Sequence, residues 1–269
     1  DLLGNEATNF NVAFDFASRE IEAMAVMPET GVIVVSALGA PNDPDNLIQL
    51  QSDGSLKDEL SLATDGSSGS SVIIPIDADN ILIGGQFTTI NGFNSPGFAK
   101  VSLSGSVDQE ANFNLVEIGN FAGPAVNSIL SLGNSEYLIS GNFSRVENEE
   151  FTSTAIINMN VPKLPTNLRG VFSFSDGVSL NWNDNSVKET AYELYRKEAS
   201  GEFTLIMTLP ADETSFKDSE VTLLTNYEYR IRALNGDLFS NNSTEFIIET
   251  PDLSAPDNLT TEFDFTIGV

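Results

Sequence analysis

Leu82-Ile83-Gly84-Gly85-Gln86-Phe87 returns as Leu138-Ile139-Ser140-Gly141-Asn142-Phe143, 56 residues further on. A return at a fixed shift marks an internal repeat, which has to be recognised before single elements are read. At the same shift Ala99 and Val101 fall on Ala155 and Ile157. Upstream, Val32-Ile33-Val34-Val35-Ser36 precedes Ile81-Leu82-Ile83-Gly84-Gly85 by 49, and Ser52-Asp53-Gly54-Ser55-Leu56 precedes Leu103-Ser104-Gly105-Ser106-Val107 by 51. Thr8-Asn9-Phe10-Asn11 likewise matches Ala111-Asn112-Phe113-Asn114. These shifts place about three copies of a unit of roughly 50 residues in residues 1–160, a period in the range of propeller blades. Short β-branched runs such as Ser71-Val72-Ile73-Ile74, separated by Asp/Asn/Gly turns and carrying no helical period, make the unit a β-repeat. The glycines of Asp53-Gly54 and Ser104-Gly105 suit tight hairpins, where a positive φ is needed.

The second copy carries a resemblance. Asp79-Asn80, Ile83-Gly84-Gly85-Gln86-Phe87, Asn91-Gly92, Ala99-Lys100-Val101, Ser104-Gly105-Ser106-Val107-Asp108 and Phe113-Asn114 together resemble the delta-60 repeat, a bacterial β-propeller-like repeat. Copy one departs from it, with Val35-Ser36 in place of the double glycine. Copy three has Asn158-Met159-Asn160 where the tail turn belongs. The resemblance implies propeller-like blades. Three blades do not close a propeller, which uses about 4–8, so further blades are expected upstream or from another chain.

After a proline-bearing junction at residues 161–164 the pattern changes. Val178-Ser179-Leu180-Asn181-Trp182, Tyr192-Glu193-Leu194-Tyr195-Arg196 and Tyr227-Glu228-Tyr229-Arg230-Ile231 alternate apolar and polar, as half-buried sandwich strands do. Residues 165–251 resemble a fibronectin type III domain. Trp182 matches its core tryptophan, and Tyr227 the tyrosine that hydrogen-bonds across a corner. Both are therefore expected to be scaffold. Ala255-Pro256-Asp257-Asn258-Leu259 repeats Leu164-Pro165-Thr166-Asn167-Leu168, so residues 252–269 read as the start of a second, truncated domain of the same type. The chain is expected to be all-β and part of a larger modular protein.

Composition narrows function. The 269 residues hold 39 acidic and 12 basic side chains, a formal charge of -27, and such a field repels phosphate backbones and anionic lipid. Nucleic-acid binding is excluded on that ground. No apolar run approaches the roughly 18 residues of a membrane span. Histidine and cysteine are both absent, which removes thiolate nucleophiles, imidazole bases and Cys/His zinc sites. No carboxylate pair stands out for glycoside hydrolysis, and the glycine-rich stretches lack the lysine and strand–loop–helix setting of a phosphate loop.

Two acidic clusters carry the oxygen donors calcium takes: Asp43 and Asp45 in Asn42-Asp43-Pro44-Asp45-Asn46, and Asp77 and Asp79 in Asp77-Ala78-Asp79-Asn80. The same residues are ordinary turn chemistry, and the delta-60 resemblance puts the second cluster at a turn. No other cofactor is expected. The expectation is a non-catalytic extracellular or cell-surface structural or adhesive protein, its partners other subunits or surface polysaccharide, with homo-oligomers or a filament as one form. The alternative is a carbohydrate-binding accessory region of a secreted polysaccharide-degrading enzyme, which needs exposed aromatic side chains for sugar stacking.

Overall fold

The computed structural model describes residues 12, 14, 16, 19–38, 45–64, 68–111, 113, 115–116, 123–147 and 149–252. Asp43 and the start of the second sandwich-like segment, residues 253–269, lie outside them, as does the Thr8–Asn11 match. The chain divides into two compact units, Asp1–Met159 and Asn160–Val269. Among the described residues no helix is long and apolar enough to cross a membrane.

The first unit is built of antiparallel meanders. β1 (Glu20–Val26), β2 (Ile33–Leu38), β3 (Asp45–Leu50) and β4 (Leu56–Leu62) form one sheet in that order. β5 (Ser68–Pro75) and β6 (Asn80–Gln86) follow, then the short hairpin β7 (Thr89–Ile90) and β8 (Phe93–Asn94), then β9 (Phe98–Ser102), which pairs with β6. After β10 (Leu115–Val116) the plan recurs: β11 (Ala125–Gly133), β12 (Glu136–Asn142), the hairpin β13 (Arg145–Val146) and β14 (Glu149–Glu150), and β15 (Thr154–Asn158). β12 lies between β11 and β15 as β6 lies between β5 and β9.

The 56-residue shift is carried down to single hydrogen bonds. The Gly97 N–H donates to Phe87 O at 2.7 Å, and the Ser153 N–H to Phe143 O at 3.1 Å. Gly85 N to Gly97 O (3.1 Å) matches Gly141 N to Ser153 O (3.0 Å), and Leu103 N to Asp79 O (2.7 Å) matches Met159 N to Ser135 O (2.9 Å). The positive φ of Asn91 (50°) and Gly97 (72°) recurs at Glu147 (54°) and Ser153 (61°). The backbone therefore keeps its path where the glycine that eased it has been replaced.

β6 shows why the repeat motif is so apolar. Ile81 and Ile83 pack with Met27, Val34 and Leu47 of the preceding copy, while Leu82, between them, packs with Val126 and Ile139 of the following one. A strand buried on both faces loses its alternation and reads as a continuous apolar run. Phe87 and Phe143, both fully buried, fill the corresponding place in successive clusters. The small residues beside them are required sterically. A Cβ on Gly84 would lie 2.7 Å from a Val72 methyl and 2.9 Å from Val126 O, and one on Gly141 would collide with Ala125 O. Copies are also tied by side chains: Asn91 Oδ1 accepts the Ala63 N–H at 2.9 Å and its Nδ2 donates to Gly105 O at 3.0 Å. The described residues form no closed ring.

The second unit is a two-layer sandwich. β16 (Thr166–Ser173), β17 (Gly177–Asn183) and β20 (Ser215–Asp218) make one sheet. β19 (Thr204–Pro210), β18 (Ala191–Glu198) and β21 (Asn226–Asn235) make the other, with β22 (Leu238–Phe239) and β23 (Phe246–Glu249) both on the far side of β21. One sheet thus has three strands and the other five, and the two pack face to face as expected of a fibronectin type III-like sandwich. Trp182, 3% exposed, packs edge-on to Tyr192 with ring centres 6.0 Å apart. The Tyr227 hydroxyl accepts the Thr222 N–H at 2.8 Å, five residues upstream, which closes the corner. Both residues hold the fold together, as expected.

Candidate metal centre

The residues singled out for calcium are distributed as follows. Asp45 opens β3, where its backbone pairs with Leu62. Asp77 Oδ1 accepts the N–H groups of Asp79 and Asn80, each at 2.9 Å, and both its oxygens accept from the Asn80 side chain. These bonds, the Asp79 N–H first, hold the Asp77 carboxyl below its usual range. Asp79 is exposed and gives its carbonyl to Leu103. In this turn before β6 the Asp77 carboxylate closes the loop with its own lone pairs.

A different set of acids meets in the sandwich. Asp184 and Glu189 both sit on the loop between β17 and β18, and Asp212 follows β19, so two loops at one end of the unit deliver the three carboxylates. One oxygen from each lies within 4.8 Å of the others. Asp184 Oδ1 accepts the Ser186 N–H at 3.0 Å, and Glu189 Oε1 accepts the Asp212 N–H at 3.4 Å. Glu189 is 7% exposed, and its Oε2 is buried with no hydrogen-bond partner. None of the three makes an ion pair with lysine or arginine among the described residues.

The floor of this cluster is Tyr192. It is fully buried, and Asp184, Glu189 and Asp212 all act on it electrostatically. Burial first, and then the adjoining Asp184 carboxylate, push its phenol far above the ordinary value of 10.0. The hydroxyl thus stays protonated and neutral. Sequence reading missed this group because its members are spread over 29 positions and, among 39 acids, no spacing marks them out. The traceable hint was the run Trp182-Asn183-Asp184-Asn185-Ser186, in which an acid follows directly on a core strand.

A second cluster lies on the outer face of the five-stranded sheet. Arg230 packs 4.0 Å from the Phe203 ring centre and 5.6 Å from that of Tyr195, and Arg232 lies 4.2 Å from that of Phe239. Glu193 pairs with Arg232 at 2.7 Å and Glu228 with Lys197 at 2.6 Å. Arg232 and Lys197 are matched by carboxylates, while Arg230 is covered by the Phe203 and Tyr195 rings, so the array stiffens the sheet.

Comparison with known proteins adds the following. No family model matches the chain. An alpha-amylase from Niallia circulans is 33% identical over 81 residues, which are 29% of this chain and 6% of the amylase, so the chain spans only a small part of that relative. A solved Fn3-like protein from Clostridium thermocellum is 29% identical, with 35% of this chain and 99% of that one covered and a TM-score of 0.30. The third fibronectin III domain of a human protein is 18% identical, with coverages of 37% and 90% and a TM-score of 0.32.

Proposed function

We propose that this chain is a non-catalytic structural or adhesive part of an extracellular or cell-surface protein. In this reading its first unit is a run of propeller-like blades of the delta-60 type, and its second a fibronectin type III spacer. Fibronectin type III-like domains are typical of extracellular modular proteins. Catalysis by imidazole or thiolate is ruled out by composition, since histidine and cysteine are absent.

The observation that carries the reading is the repeat itself, together with the edge it leaves. β15 pairs with β12 on one side and with no strand on the other among the described residues. Its sequence, Thr154-Ala155-Ile156-Ile157-Asn158, holds no charge, and Ile156 is 59% exposed. The opposite end of the unit is different: the edge strand β4 carries Lys57, Asp58 and Glu59, the kind of charge that discourages pairing. An uncharged edge with an exposed β-branched side chain is a template for strand addition. A second copy of this chain is the occupant proposed.

The tryptophan and tyrosines weigh against sugar stacking, which leaves exposed phenylalanines such as Phe93, Phe174 and Phe239. Trp182, Tyr137, Tyr192, Tyr227 and Tyr229 are all buried, and Tyr195 lies half-buried beneath arginines. Sedimentation velocity over a concentration series tests the assembly. Self-association that Ile156→Lys abolishes supports the reading, whereas a monomer at every concentration overturns the assembly part of it.

A further inference from the structure

We propose that Asp184, Glu189 and Asp212 form a calcium site in the sandwich unit, a property separate from the structural reading above. Three carboxylates converge to within 4.8 Å with no lysine or arginine paired to any of them. Like charges gathered this closely repel, and a buried carboxylate oxygen without a partner is costly. Glu189 Oε2 is such an oxygen, in a side chain more than nine-tenths buried. The Tyr192 hydroxyl is the other buried polar group here. It is fully buried, and it faces the same three acids.

One divalent cation resolves these features together. An ion bound at about 2.3–2.6 Å holds oxygens on opposite sides up to roughly 5 Å apart, which matches the observed spread. The donor set is all oxygen, in a chain that has neither histidine nor cysteine, so hard cations are favoured over zinc or copper. Between calcium and magnesium, irregularly spaced ligands drawn from two separate loops favour calcium. Its coordination sphere is larger and tolerates irregular geometry, whereas magnesium requires a near-ideal octahedron. Asp212 is exposed and Asp184 half-exposed, which leaves the ion a route in and room for waters to complete its shell. The neutral Tyr192 hydroxyl can accept a hydrogen bond from such a water or turn its oxygen toward the ion.

Calcium bound here links the β17–β18 loop to the segment after β19. The first crosses from the three-stranded sheet to the five-stranded one, and the second crosses back. The ion therefore fastens one end of the sandwich, where Trp182 and Tyr192 already pack together.

The chain's sole tryptophan thus lies beside the site and serves as the reporter. Terbium(III), a luminescent substitute for calcium, is titrated into the full chain under tryptophan-selective excitation, and calcium or magnesium is then added to displace it. The expected result is saturable sensitised emission that calcium displaces and magnesium at the same concentration does not. In the double variant Asp184→Asn, Asp212→Asn the terbium affinity should fall at least tenfold, while Asp77→Asn, Asp79→Asn keeps it. Calcium should also raise the thermal midpoint of the Trp182 fluorescence transition in the parent chain and not in the double variant. Emission that fails to saturate, that calcium does not displace, or that survives the double substitution unchanged overturns the proposal. If the double variant loses its near-ultraviolet circular dichroism, Glu189→Gln takes its place under the same criteria.

Discussion

Replacing Asp218 by alanine tests the energetic reasoning most directly. Asp218 ends β20 on the three-stranded sheet, is 4% exposed, and joins that sheet to the other. Its Oδ1 accepts from Arg196 Nη1 at 3.0 Å and from the Glu220 N–H at 3.1 Å, while Oδ2 accepts from Arg196 Nη1 at 2.8 Å and from the Tyr229 hydroxyl at 2.8 Å. Removing one partner of a buried ion pair costs about 3–5 kcal/mol, because the charge left behind has lost both water and counterion. Arg196 is not wholly stranded in the variant. It keeps Glu220 O at 3.0 Å and lies 5.2 Å from the Tyr227 ring centre, which points to the lower end of that range. Tyr229 fares worse, being fully buried with no other hydrogen-bond partner for its hydroxyl. A loss of about 3 kcal/mol corresponds to a midpoint lowered by roughly 12–24 °C in a unit of about 100 residues. Urea unfolding followed by Trp182 fluorescence reads this loss, since that residue lies in the same core. Tyr229→Phe should cost about 1 kcal/mol, and the double variant less than the sum of the two, because both remove the same bond. A loss below about 1 kcal/mol for Asp218→Ala, at an unchanged denaturant slope, would refute the view that this carboxylate clamps the two sheets.

Two further outcomes follow from the same structure. Gly141→Ala drives a Cβ into Ala125 O between β11 and β12 and should destabilise the first unit by about 1–3 kcal/mol, whereas Gly133→Ala meets no neighbouring atom and pays only for its φ of 88°; limited proteolysis of the repeat compares the two. Glu193 is pushed upward by burial, but the Tyr195 and Arg232 hydrogen bonds outweigh this and hold its carboxyl below its ordinary 4.5. A lowered folded pKa means that its contribution is whole above 4.5 and is lost as pH falls through the folded value, so Glu193→Gln should flatten the acid limb of the Trp182-monitored stability curve and leave its neutral plateau's slope unchanged.

Sequence alone determined the strand content, the 56-residue period and the sandwich, because each depends on spacing along the chain. Leu82 and Leu138, and Phe87 and Phe143, hold equivalent places in the fold because the same local pattern forces the same backbone. Trp182 and Tyr227 were legible for a similar reason: a core position and a corner hydrogen bond five residues long are short-range features. Asp77 shows the limit of that legibility. Its pattern, Asp-Ala-Asp-Asn, suits either a turn or an ion, and only the structure shows its oxygens given to the Asp79 and Asn80 N–H groups. The meeting of Asp184, Glu189 and Asp212, the orphaned oxygen of Glu189 and the uncharged free edge of β15 were decided by tertiary structure. Each depends on which strands become neighbours and on what is left without one, and chain folding settles this over distances that no local pattern encodes.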